Sequence, residues 1–307
     1  MTNTVKRVFT YIDDWQRSHK IVAFLYAVFK KYNEDEAGYK AAILTYYGFL
    51  SLFPLLLVAV SIAKLLAAHH VVAGERALDG VASYIPLIGQ DILSHVHGIG
   101  ASGVALAVGI GITFFGARGI ADAFRAILDH VWGVPYAQRR GFPAAIIRSL
   151  LMITLGGVGL LLSAAATGGV LAVGHRPIFG VLSVAVAFGG VFATVYVVTR
   201  LGVSVRRTRK QLMQAALLIA VGAEVLQVVG GYILAHELRN LGSVYGTFAI
   251  VLGLLFWLYL EAQVVLYSLE IVVVCSFGLW PRSLQPPRTT ADKRTTALYA
   301  ARDAHND

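Results

Sequence analysis

The chain of 307 residues has a single cysteine, three methionines, and charged side chains at only 14% of positions. Each scarcity narrows the reading. A lone thiol, Cys275, excludes an internal disulfide framework and any zinc site built on cysteines. So little charge, beside 57% hydrophobic residues and a mean hydropathy of +0.68, argues against a soluble domain and for an integral membrane protein. Acidic residues are the scarcer sign, 17 against 26 Lys and Arg. In a membrane protein that surplus marks cytoplasmic loops and contact with anionic headgroups rather than nucleic acid. The first 20 residues hold no central apolar run, so no cleavable signal is expected and the first span serves as an uncleaved anchor. With no nucleotide-binding loop in the chain, ATP alone drives nothing here.

What is abundant is long apolar sequence. Six runs read as spans: about 41–66, 99–117, 146–173, 178–198, 212–235 and 244–274. The expected fold is an all-α, polytopic integral membrane protein of six transmembrane helices with amphipathic interfacial helices. Residues 1–40 form a cytoplasmic amphipathic segment, 41–280 the six-span domain, and 281–307 a disordered cytoplasmic tail rich in proline and charge. With the N-terminus inside, the inner segments 1–40, 118–148, 200–210 and 282–302 hold 22 of the 26 Lys and Arg, and the outer ones three. That asymmetry predicts a bacterial cytoplasmic-membrane protein with both termini in the cytoplasm.

Two amphipathic pieces flank the spans. In the first, Ile21, Phe24, Leu25, Val28 and Phe29 share a face beside Lys20, Lys30 and Lys31. It suits a helix in the headgroup layer or one packed on the bundle, and the sequence favours neither. In the second, Ile120, Phe124, Ile127, Leu128 and Val131 form an apolar face, with Arg118–Asp122 and Arg125–Asp129 as i,i+4 pairs, ending before Pro135. His69, His70, Asp79, Asp91, His95 and His97 lie in the outer loop without helical ligand spacing, so solvated loop residues are expected there and no metal site.

Polar residues inside the spans are the candidate site. In the last span Tyr245, Tyr259, Gln263 and Glu270 fall in one narrow arc, with Glu261 and Ser268 roughly opposite. A charge on a spanning helix costs on the order of 2.5 kcal/mol or more, so this stripe needs covering by other helices or water. In the first span Tyr47, Ser51 and Pro54 share a face, with a kink expected at Pro54. Glu224, in the fifth span, lies at the same depth as Glu261, so the two carboxylates either face a common cavity or hydrogen-bond neighbouring helices. Gly103, Ala107 and Gly111 form a close-packing strip in the second span.

Two stretches carry a family likeness. Ala41-Ala-Ile-Leu-Thr-Tyr-Tyr-Gly-Phe-Leu-Ser-Leu-Phe-Pro-Leu-Leu-Leu57 resembles the first-span signature of the YihY/BrkB family of bacterial inner-membrane proteins. Tyr245-Gly246, Trp257-Leu-Tyr-Leu260 and the Glu270 region resemble that family's last span, and the stretches Leu128 to Trp132 and Arg140 to Arg148 also fit. The likeness covers about residues 20–280. Three departures stand out: Tyr267-Ser-Leu-Glu270 replaces the usual Gly-Ala-Glu, Asp129 stands where Asn is common, and Glu261 replaces a small residue. The resemblance implies six spans and a role in the envelope, without an established activity; the family's old ribonuclease label is widely regarded as a misassignment.

The function follows from weighing these residues. Asp122, Asp129 and His130 are the only clustered groups that a nuclease on the cytoplasmic side would use, and basic i,i+4 partners explain them better as a solvated face. No nucleic-acid motif and no cofactor site is present, so no enzyme is expected. The favoured reading is an envelope-integrity protein that transports or flips a lipid or lipid-like amphiphile. Its path runs along Tyr47, Ser51, Pro54, Glu224, Tyr245, Tyr259, Glu261, Gln263 and Glu270, and Arg139, Arg140, Arg148, Arg206 and Arg207 gather anionic headgroups. The alternative is a non-transporting scaffold, as a homo-oligomer or with envelope-protein partners.

Overall fold

A computed structural model describes residues 3–51, 118–173, 177–284 and 288–304, where the regular structure is helical. α1 (Asn3–Ser18) and α2 (Lys20–Glu34) are amphipathic. The chain breaks at Asp35 and Glu36, Glu36 taking a φ of 51°, and resumes as α3 (37–51). α4 (118–131) ends as expected ahead of Pro135, at a left-handed Gly133. A 3-10 turn (Tyr136–Gln138) leads to α5 (Ala144–Val173) and α6 (Pro177–Gly202). α7 (Arg209–Phe277) opens on a capping box between Thr208 and Gln211. It closes on Gly278, whose φ of 60° suits a residue without Cβ. α8 (Thr290–Asp303) completes the chain.

Three helical stretches are long and apolar enough to cross a bilayer: Val181–Gly202, Arg209–Gly230 and Val251–Phe277. They coincide with the expected fourth, fifth and last spans. α5 occupies the place of the third. The second span, the outer loop, and the part of the first span that contains Pro54 lie outside the described residues. The chain is thus an all-α, polytopic membrane protein with at least three apolar spans.

Small residues set how these helices meet. α5 and α6 run antiparallel with Gly159 against Thr194, Gly190 against Ser163 and Gly156 against Val198. α7 cannot be one straight rod. Gly222 lies so close to Val264 that an added Cβ would fall 2.5 Å from Cγ1, and Gly230 packs against the Trp257 ring. Forty-two residues of straight helix would separate Gly222 from Val264 by about 63 Å. The chain therefore doubles back between Gly230 and Trp257, giving two antiparallel limbs.

The main core sits at one end of this bundle. Ala27, Val28 and Tyr32 of α2 and Leu128, Val131 and Trp132 of α4 pack there against Leu212 and Ala215 of the first α7 limb and Leu266, Leu269 and Val273 of the second. Arg148 bonds to Leu201 and Val203 at the same end, Arg207 to Trp132, Arg282 to Glu34 and Arg302 to Asp35. The four basic segments read from the sequence are gathered on one face.

One open alternative is decided and two expectations need correction. The N-terminal helix packs on the bundle, and its apolar face splits: Val28 is buried and Phe24 meets Trp280, while Ile21, Leu25 and Phe29 stay exposed. The buried face is Ala23, Ala27 and Lys31. Residues 281–307 are not a disordered tail throughout. Thr289 and Asp292 form a capping box that starts α8, and Ala291, Asp292, Thr295 and Arg302 are buried. Nor does Arg125 pair with Asp129: its guanidinium reaches Asp122 at 3.3 Å and Ser149 at 3.1 Å, and both Arg125 and Asp129 are buried rather than solvated.

Candidate functional site

The polar stripe of the last span is covered, and the cover is α2. Lys31 and Glu270 are both completely enclosed, and Nζ donates to Glu270 Oε2 at 2.7 Å. Nζ also donates to Asp35 Oδ2 at 2.5 Å and to the Val131 carbonyl at 3.2 Å. Three donors meet three acceptors, which is all an ammonium can offer. Helix geometry supplies Asp35, four residues after Lys31, while Glu270 comes from a different part of the chain. Burial works to lower the Lys31 pKa, yet Glu270 and Asp35 outweigh it and hold it above its ordinary value. Two turns earlier on α7, Gln263 accepts from the Tyr32 hydroxyl, and Tyr32 stacks on Tyr267 with centroids 4.3 Å apart.

Asp35 links this lysine to the C-terminal helix. Its Oδ1 accepts from Arg302 at 2.9 Å, and Lys40 bonds its carbonyl. Arg302 also lies 2.9 Å from His130 Nε2, which is 3.6 Å from Asp35 Oδ1. Since a guanidinium only donates, Nε2 accepts from Arg302 and the ring is neutral. Burial first, and then Lys40 and Arg302, hold His130 below its ordinary pKa, against the opposing pull of Asp35. Burial works to raise the pKa of Asp35, but the charge and hydrogen bond of Lys31 help to outweigh it, and the carboxyl lies far below the usual carboxylate range.

A second clamp holds the same helix. Arg282 grips Glu34 with two bonds, at 2.6 and 2.9 Å, and turns Nε to Asp292 at 2.9 Å. Asp292 further accepts from Ser283 Oγ at 2.6 Å and Thr289 Oγ1 at 2.7 Å. Burial opposes its ionisation, yet bonds from Ser283, Thr289 and Arg282 keep its carboxyl far below the usual range. Both clamps tie α8 to α2, so Arg302 and Asp292, from the supposed tail, complete a structure that begins near residue 30.

The sequence-read site residues separate into groups. Glu270 and Gln263 belong to the α2 contact. Tyr259 packs part-buried on the core. Tyr47 lies over Gly119 of α4, and Ser51 bonds its own helix at the Gly48 carbonyl, 2.8 Å away. Pro54 lies outside the described residues, as does the side chain of Tyr245. Glu224 and Glu261 are part-buried on facing limbs of α7, near the Gly222–Val264 contact and within electrostatic range of each other. Among the arginines, Arg207 donates to the Trp132 carbonyl at 2.8 Å and covers the rings of Trp132 and Phe277. Arg148 donates to Leu201 O at 3.0 Å, Arg140 to Ser204 O at 3.2 Å and Arg139 to Val134 O at 3.2 Å, whereas Arg206 is exposed.

The residues read as the only possible nuclease cluster disperse. Asp129 accepts from the Ser204 amide at 2.8 Å and its hydroxyl at 2.6 Å, Asp122 accepts from Ser149, and His130 turns to Arg302. Each carboxylate ties helices together. Among the described residues no group of three or more His, Cys, Asp or Glu could hold a metal.

Sequence reasoning missed Lys31, Asp35, His130, Arg282, Asp292 and Arg302. One signal was available: Lys31 follows Ala23 and Ala27 at intervals of four, and a lysine in line with small residues is poised for burial.

Two similar proteins are described as membrane proteins. The chain is 22% identical over 311 residues to the inner membrane protein YhjD of Escherichia coli (strain K12), covering 92% of this chain and 89% of that protein. It is 24% identical over 268 residues to a UPF0761 membrane protein of Psychrobacter sp. (strain PRwf-1), covering 82% of this chain and 48% of that longer protein. No solved structure matches. The profile described as virulence factor BrkB matches residues 28–287, from α2 through both α7 limbs to the segment that bears Arg282, and the chain belongs to that family.

Proposed function

We propose that the protein lies in the bacterial inner membrane with both termini in the cytoplasm and supports the envelope by moving a lipid or lipid-like amphiphile. One observation carries the reading: Glu224 and Glu261, part-buried at matching depth on facing limbs of α7. Two like charges in mid-span repel each other and are costly against lipid, so they need water, a shared proton or a polar ligand between them. A proton held there can be exchanged across the membrane, which gives the chain an energy source without nucleotide. The orientation rests on the 22 Lys and Arg of the segments gathered at one end. The location is supported by the name of the Escherichia coli relative. The Lys31–Asp35–Glu270 cluster then closes the cytoplasmic end beneath this station.

The test is lipid flipping in proteoliposomes with headgroup-labelled anionic and neutral lipids. Glu224→Gln and Glu261→Gln run alongside, each checked for thermal stability. The reading predicts flipping by the parent chain and its loss in both variants at unchanged stability. Undiminished flipping by the variants refutes the coupling role.

A scaffold that acts through copies of itself or envelope-protein partners is the second reading. It is favoured by the engagement of Glu270, Gln263, Arg140, Arg148 and Arg207 within the protein. Well-folded protein that flips no lipid class would establish it over transport.

A further inference from the structure

We propose that the cleft between α4 and α5 is a binding site for a phosphate-bearing anion at the membrane boundary. The cleft has a volume of about 370 Å³, within the range of roughly 300–1,000 Å³ typical of small-ligand pockets. Four arginines line it: Arg118, Arg125, Arg139 and Arg140.

Two carboxylates also line the cleft, and both are engaged. Asp129 is held by the Ser204 amide and hydroxyl. Asp122 accepts from Ser149 and from Arg118 and Arg125, at 3.3 Å each. Four cations against two anions leave an excess of positive charge, and Arg148, just beyond, feels Arg125 and Arg140 as further like charges. Like charges gathered around one cleft repel each other, and an anion among them would relieve that repulsion.

The second observation is Arg125 itself. Its side chain is more than nine-tenths buried, and while its terminal nitrogen reaches Asp122, Ser149 and the Ala145 carbonyl, Nε has no hydrogen-bond partner. A buried guanidinium donor without an acceptor is costly, and a small shift of the side chain would bring the enclosed Nε to a phosphate oxygen in the cleft with a charge-assisted bond.

Place selects the source of the phosphate. The cleft opens where α5 begins its apolar run, beside Phe142, which is 84% exposed. Ile147, one turn into α5, is also exposed. Arginines at headgroup level with apolar side chains beside them fit a phosphodiester whose tails enter the hydrocarbon. A soluble phosphate ester offers the same oxygens without the tails. The site does not depend on transport: a scaffold would hold the same lipid.

The experiment is native mass spectrometry of the full chain in detergent, titrated with phosphatidylglycerol, with phosphatidylcholine and with inorganic phosphate. The proposal expects one tightly held phosphatidylglycerol, at least about tenfold weaker in R118Q/R140Q, as loss of two charge-assisted contacts implies. Both residues lie toward solvent, so these changes spare the core, and circular dichroism checks the fold. Lys293→Gln, an exposed cation on α8 outside the cleft, should leave retention unchanged. Inorganic phosphate that displaces the lipid and shows the same sensitivity assigns the site to a soluble phosphate. Equal retention of both lipids with no effect of phosphate, or equal loss in Lys293→Gln, overturns the site.

Discussion

Replacing Lys31 by Met is the sharpest perturbation of this structure. Methionine fills much of the same volume on α2 and keeps the helix, but it removes the cation that Asp35 and Glu270 share. The two carboxylates are not left equally poor. Asp35 retains Arg302 at 2.9 Å, whereas Glu270 loses the partner of Oε2 while its Oε1 has none. Glu270 must then sit charged and unpaired in a fully enclosed site or take up a proton. Breaking a buried pair in this way costs about 3–5 kcal/mol. That is a large share of the roughly 5–15 kcal/mol that holds a typical protein together. Glu270→Gln is milder, because Lys31 keeps Asp35 and an amide oxygen can still accept; about 1–3 kcal/mol is expected. In K31M/E270Q no charge is stranded, so the double variant should be more stable than the two single losses predict, by about 1–3 kcal/mol. Denaturation in micelles, followed through the fluorescence of the buried Trp132, measures all three. A loss under about 1 kcal/mol for Lys31→Met, or strictly additive losses in the double variant, would refute the account of this cluster.

Two further outcomes follow from the same geometry. His130 is held below its ordinary pKa of 6.5, so as pH falls through that value the unfolded chain takes up the proton before the folded one. Stability should therefore decline below pH 6.5, with the Asp35 contribution lost only at much lower pH, and His130→Gln should flatten the decline between pH 6.5 and 5; a parent midpoint constant across that window would contradict it. Gly230→Ala drives a methyl into the Trp257 ring and should cost about 1–3 kcal/mol, while Gly189→Ala, where no described atom lies within 4 Å, should stay within about 0.5 kcal/mol in the same denaturation assay.

The fourth, fifth and last spans were legible because apolar length is a one-dimensional property, and the last span's polar arc announced that something must cover it. What covered it was not legible. Glu270 and Lys31 are 239 positions apart, and no local pattern joins them. The amphipathic reading of α2 was drawn to the bulky stripe of Ile21, Leu25 and Phe29, which is exposed, because hydrophobic weight outranks small size in such a reading. Close helix contact instead selects Ala23 and Ala27, and they carry Lys31 into the core. The tail misled for a related reason. Its prolines and charges have the composition of disorder, but Arg282, Asp292 and Arg302 find counter-ions on α2 and in the turn after it. Composition cannot report a partner that lies elsewhere in the chain.

The α2 cover also narrows where a path across the membrane can run. A polar group on a spanning helix can be explained either by a structural partner or by a route for something polar, and the first explanation removes the need for the second. Glu270 and Gln263 now have such partners in Lys31 and Tyr32, so their polarity no longer argues for a channel. Glu224 and Glu261 are different. They face a like charge, and neither is joined by an ion pair or hydrogen bond to any described residue. Retaining both carboxylates in mid-span is unfavourable for a bundle that only has to stand, since two glutamines would pack as well without the repulsion. The transport reading proposed above rests on this pair, and its test belongs on the facing limbs of α7 rather than on the stripe beneath α2.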